Sequence, residues 1–196
     1  EKWAEECVEL KEILTQEEYE AARSSTLNAH YTAPAIIEGV YKAVEKMGLK
    51  PKNMLEPSMG TGNFLGMLPD FMKDTVLYGV ELDSITGRIA RQLYPQAHIT
   101  IDGFERVHFS DNKFDLAVGN VPFGNYQVAD PRYDREHFLI HDYFFGKTLD
   151  KVRPGGIVAF ITSKGTLDKP NNSVREYLAK RANLLGAVRL PNNAFL

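Results

Sequence analysis

Apolar positions follow two alternating rhythms along this chain. Short apolar runs, many of them β-branched, read as buried strands: Met54-Leu55, Val76-Leu77-Tyr78-Gly79-Val80, His98-Ile99-Thr100-Ile101, Leu116-Ala117-Val118, Ile157-Val158-Ala159-Phe160-Ile161 and the stretch Leu184–Leu190. Between them, apolar residues three and four apart predict helices over 35–47, 64–72, a stretch ending at Tyr94, 137–149 and 174–181. Strand and helix in alternation predict an α/β fold: a Rossmann-like, mostly parallel sheet with helices on both faces and its site at the carboxyl ends of the strands. A charged, amphipathic helical stretch over residues 1–23 comes first, broken at Thr15–Glu18, where Thr15 and Glu18 have the spacing of a capping box. The expected division is a helical extension, 1–27, and a single domain, 28–196. The sequence stops after a strand-end loop, so the C-terminal edge of the sheet is expected to be missing and the chain to be part of a longer polypeptide.

Composition narrows the class. The single cysteine, Cys7, excludes a disulfide framework and a cysteine zinc site. It fits a reducing, cytoplasmic compartment, and no apolar run is long enough to span a bilayer. The net charge of −3 hides a gradient. Residues 1–30 hold eight Glu, whereas 151–196 hold Lys151, Arg153, Lys164, Lys169, Arg175, Lys180, Arg181 and Arg189 against Asp168 and Glu176. A basic C-terminal third suits a polyanion or a solvated helix face. His137 and His141 stand four apart with no third ligand in view, so no metal is expected.

The candidate chemistry sits at the strand ends. Phe114–Val118 runs into Gly119-Asn120-Val121-Pro122-Phe123, which reads either as an ordinary turn or as a grip on a flat amino-bearing heterocycle. In the second reading an amide oxygen and a backbone carbonyl accept from the amine, and a ring stacks on the heterocycle. Thr32 is placed to cap the helix that begins near Pro34. Glu56, then Gly60-x-Gly62, then Glu81 and Asp102 put an acid at each of three successive strand ends. The glycine spacing departs from G-x-G-x-x-G, and an acid before the loop suits an ammonium-bearing ligand without a pyrophosphate. S-adenosylmethionine is such a ligand: Glu81 is placed for its ribose hydroxyls, Asp102 for its adenine amino group and Phe104 for the adenine face.

Glu56-Pro57-Ser58-x-Gly60-Thr61-Gly62-Asn63-Phe64, Glu81, Asp102 and Asn120-Val121-Pro122-Phe123 resemble the motif series of the gamma-type DNA adenine-N6 methyltransferases. The Tyr31-Thr32-x-Pro34 segment and the Arg189-Leu190-Pro191-x-x-x-Phe195 element fit as well, and the match covers roughly residues 24–196. The similarity is greatest to the methylase segment of large phage and conjugative-element helicase–methyltransferase proteins. It implies a class I S-adenosylmethionine-dependent fold and methyl transfer to adenine N6 in a flipped base. Tyr31, Thr32, Glu56, Pro57, Ser58, Gly60, Gly62, Phe64, Glu81, Asp102, Phe104 and Asn120 are then expected around the cofactor. Asn120, Val121, Pro122 and Phe123 form the catalytic turn, and Phe123 and Phe195 contact the base. The implied partners are DNA and a helicase or recognition domain in the same polypeptide. Val121 stands where the family pattern has proline. A non-catalytic cofactor- or DNA-binding module, and a methyltransferase acting on RNA or protein glutamine, are the alternatives.

Overall fold

A computed structural model describes residues 4–20 and 32–191. Five strands, β1 (Asn53–Glu56), β2 (Val76–Glu81), β3 (His98–Ile101), β4 (Phe114–Asn120) and β5 (Val152–Ile161), form one sheet in the order β3-β2-β1-β4-β5. Every pairing is parallel. The chain winds outward from β1 to β3 and then returns to lay β4 on the other side of β1. The order therefore reverses between β1 and β4, and in open α/β sheets ligands bind at the carboxyl ends of the strands beside such a reversal.

Alternation along the strands sets the layers. Met54, Leu116 and Val118 face one core, with Ile37, Tyr41 and Val44 of the helix Pro34–Lys46 and Ala90 of the helix Ser84–Leu93. Leu55 and Ala117 face the other, with Ile140, Tyr143 and Phe144 of the helix Ile140–Lys151. Asp115 binds three strands together. Its Oδ2 accepts the N–H groups of Lys52 and Asn53, both at 2.8 Å, and its Oδ1 accepts Arg153 Nε at 2.6 Å.

The N-terminal helix Ala4–Ile13 breaks where expected. Thr15 and Glu18 form the capping box, with Thr15 N–H to Glu18 Oε2 at 3.0 Å and Glu18 N–H to Thr15 Oγ1 at 3.3 Å.

Several expectations are corrected. The helix after the glycine turn spans only Asn63–Gly66, and a 3-10 turn at Asp70–Met72 follows. Pro69, which cannot extend a helix, stands between them. Arg153-Pro154-Gly155-Gly156, read as a helix stop, lies inside β5 at a register shift opposite Phe114 and Leu116. A Cβ at Gly156 would stand 2.7 Å from the Asp115 carbonyl oxygen, so only glycine fits the irregularity. Leu184–Leu190 forms no strand: Leu184, Leu185 and Val188 face solvent, and Leu190 alone of its large apolar residues packs on the core. A short helix, Gly165–Asp168, was not foreseen. Ala33, not Thr32, caps Pro34–Lys46 and makes no side-chain cap bond, while Thr32 is buried. His137 lies before the helix with φ 51, which breaks the helical spacing to His141.

Candidate active site

The point of reversal is flanked by strand ends. Glu56 closes β1, Glu81 closes β2, Asp102 follows β3 and Asn120 closes β4, so the sheet order sets the four side by side. Between Glu56 and Glu81 the chain turns through Gly60 (φ 55) and Gly62 (φ 88), left-handed positions that glycine alone takes freely. A Cβ at Gly62 would strike the Tyr94 ring at 2.5 Å, whereas one at Gly60 would meet nothing within 4 Å. The first glycine thus borders open space and the second is packed.

Glu56 is the least ordinary group here. It is 2 % exposed, and its Oε2 is buried with no hydrogen-bond partner. Burial, and then the neighbouring Glu81, push its carboxyl group well above the usual carboxylate range. Gly119 gives it room: with φ 150 it brings β4 to within 3.5 Å of the Glu56 side chain, measured from the position a Cβ would take.

Glu81 accepts the Gly60 N–H at 2.7 Å through Oε2 and the Asp83 N–H at 2.8 Å through Oε1. It is thereby fixed beneath the glycine turn. Burial raises its pKa, and the bonds from Asp83 and Gly60 oppose the rise. Asp102 accepts the Gly103 N–H at 2.7 Å and pairs with Arg106 at 2.5 Å. That pairing holds its carboxyl group below the usual range.

At β4 the Ser58 hydroxyl donates to the Asn120 carbonyl at 2.9 Å, which joins the glycine turn to the Asn120 turn. The Val121 N–H donates to the Ile161 carbonyl at 3.1 Å and its side chain is 1 % exposed. Proline at this position has no N–H to give. Val121 instead extends the β4–β5 ladder by one residue and locks the turn from both sides. The departure from the family's proline is matched by a backbone bond and a buried side chain.

Other expected residues fall elsewhere. Phe123 is half-buried beside the turn. Phe104 is 3 % exposed and packs on Phe144, ring centroids 5.0 Å apart, so its ring offers no open face here. Phe64 is core, and its carbonyl accepts the Tyr41 hydroxyl at 2.7 Å. Pro57 is buried. Tyr31 and Phe195 lie outside the described residues. Of the eight basic residues in the C-terminal third, five pair with acids: Lys151 with Asp111, Arg153 with Asp115, Lys169 with Asp142, Arg181 with Asp150 and Arg189 with Asp168. Among the described residues no group of three His, Cys, Asp or Glu is arranged to hold a metal ion. His141 is buried against Asp142, and burial lowers its pKa.

The reversed strand order and the glycine turn flanked by acids define the class I S-adenosylmethionine-dependent methyltransferase fold. Solved structures share it. A modification subunit of a putative type I restriction enzyme from Vibrio vulnificus superposes with a TM-score of 0.61 over 78 % of this chain and 38 % of its own, at 16 % identity. A putative class I S-adenosylmethionine-dependent methyltransferase from Listeria monocytogenes gives 0.59 over 74 % and 50 %, at 20 % identity.

Residues 12–196 match the N-6 DNA Methylase family, and the chain belongs to it. That family uses S-adenosylmethionine. Defense against restriction protein B of Escherichia phage P1 is 35 % identical over 193 residues, which are 95 % of this chain and 8 % of the phage protein. Modification methylase CviBIII of Paramecium bursaria Chlorella virus NC1A is 25 % identical over 169 residues, 82 % of this chain and 43 % of its own. The chain spans less than half the length of each of these relatives.

Proposed function

We propose that residues 28–196 form a catalytic domain that transfers a methyl group from S-adenosylmethionine to the N6 amino group of adenine in DNA, with 1–27 as a helical extension. The observation that carries the reading is the row of acids at the ends of β1, β2 and β3, set directly beside the Asn120 turn. The unmatched buried oxygen of Glu56 and the open space at Gly60 fit a cofactor that brings an ammonium group. When bound, that cofactor supplies an electrophilic sulfonium methyl.

The chain's own residues then divide the work. Glu56 balances the ammonium group, Glu81 receives the ribose hydroxyls and Asp102 reads the adenine amino group. Asn120 Oδ1 and the Val121 carbonyl accept the hydrogens of the target amine, drawing its lone pair out of conjugation with the ring. Pro122 stiffens the turn, and Phe123 stacks on the extruded base, with Phe195 against it by family resemblance. Catalysis in this scheme is positioning and fixed dipoles. DNA as the acceptor is supported by the family and by the viral methylase CviBIII. Lys164 and Lys180, both exposed, are the side chains offered to its backbone. A helicase or recognition segment in the same polypeptide would choose the site.

The test is methyl transfer from labelled cofactor to unmethylated DNA, followed by digestion to nucleosides. N6-methyladenine from the wild type, and none from Asn120→Ala at saturating cofactor, is the expected result. Methyl-cytosine, or full transfer by Asn120→Ala, would overturn the proposal.

A further inference from the structure

The helix Ile140–Lys151 carries a lysine on its buried face. Lys147 lies one turn beyond Tyr143 and is 3 % exposed. Its ammonium group donates to three oxygens: the Phe104 carbonyl at 2.8 Å, the Glu105 carbonyl at 3.2 Å and Asp130 Oδ2 at 3.0 Å. Asp130 Oδ2 also accepts the Tyr143 hydroxyl at 2.7 Å, and its Oδ1 accepts the Arg132 N–H at 3.2 Å. A buried ammonium is tolerated only when its protons are matched, and here all three are.

The three acceptors belong to two different loops. Phe104 and Glu105 lie in the loop that opens with Asp102. Asp130 lies in the loop that leaves the Asn120-Val121-Pro122-Phe123 turn. Methionine would fill the same volume without charge, so packing alone does not call for a lysine here. We infer that Lys147 is a positioning residue that ties the Asp102 loop to the loop leaving the Asn120 turn, so that cofactor affinity and acceptor geometry rest on one buried cation. The inference rests on the proposed role of Asp102 toward the cofactor.

Three proteins test it: wild type, Lys147→Met, and Lys147→Met with Asp130→Asn. The single variant leaves the Asp130 carboxylate buried without its cation and is expected to melt lower. The double variant removes that charge. An asparagine there still accepts the Arg132 N–H through Oδ1 and donates to the Tyr143 hydroxyl oxygen through Nδ2, so the melting temperature is expected to recover. In both variants the Phe104 and Glu105 carbonyls lose their donor. Amide hydrogen exchange is expected to quicken in residues 102–109 of both variants and in 121–136 of the single one. The calorimetric Kd for S-adenosylmethionine is expected to rise about tenfold in both, the size expected for losing bonds to a charged donor. A double variant that recovers both melting temperature and wild-type affinity would overturn the inference, because Lys147 would then be an ordinary core residue. Unchanged exchange in 102–109 would overturn it too. A wild type that binds no S-adenosylmethionine overturns the methyltransferase reading and the affinity half of this one, while the exchange data still decide the tie.

Discussion

Glu56 holds a carboxyl group in the core with one oxygen unmatched, an arrangement that costs the fold stability. Its folded-state pKa is raised, so the folded protein binds more protons than the unfolded chain. Stability from this group is therefore present below the unfolded carboxylate pKa and lost as pH rises towards the folded value. Glu56→Gln is expected to raise the melting temperature of the ligand-free protein at pH 7, with each ~1 kcal/mol of relief worth roughly 2–4 °C in a chain of this size. The same variant is expected to weaken S-adenosylmethionine binding in calorimetry, and a gain in both properties would contradict the assigned role. Phe123→Ala is expected to lose ~1–3 kcal/mol of base stacking, read as weaker binding of DNA carrying an abasic-flanked or mismatched target adenine. The acids were legible in the sequence because each ends an apolar run. Lys147 was not, because a lysine in a helix reads as a solvated group until two carbonyls 43 and 42 residues away come within reach. Phe104 shows a limit of the other kind: its place next to a strand-end acid is legible in the sequence, but its packing on Phe144, far along the chain, is not.

At the scale of elements, the β1–β4–β5 junction depends on one side chain. Asp115 serves two backbone N–H groups and Arg153, and these bonds hold its carboxyl group below the usual range against the opposing effect of burial. Its contribution is fully present above the unfolded carboxylate pKa and lost as pH falls through the folded value. Asp115→Ala is expected to cost about 1–3 kcal/mol in urea unfolding at pH 7, since it removes the acceptor of two part-buried backbone N–H groups and of Arg153. The difference from wild type should shrink below about pH 4, where the unfolded carboxyl group takes up its proton. The five strands were readable from apolar runs bounded by turn residues. Their limits were less so: β5 begins at Val152 because Gly156 admits a register shift, a property of the pairing with β4 and not of the segment. Leu184–Leu190 has a strand's composition, but composition supplies no partner, and a strand requires a ladder.

Across the whole molecule, β5 stands at one edge of the sheet among the described residues, and Leu184, Leu185 and Val188 are 74 %, 67 % and 86 % exposed. An exposed apolar stretch and an open sheet edge are each surfaces on which a second chain adds. Sedimentation velocity is expected to show concentration-dependent association of this chain, reduced by Leu185→Glu with Val188→Lys. Equal association by wild type and variant would locate the contact elsewhere. The row of strand ends has a dimension as well. Neighbouring strands lie roughly 4.8 Å apart, so three steps across the sheet separate the end of β3 from that of β4 by roughly 14 Å. The sheet is thus a ruler, and a ligand short of that length reaches only one end of it. Adenosine and free methionine should each bind weakly at opposite ends and fill the site together without competing. The affinity of the intact cofactor would then come chiefly from the covalent tether between its two halves.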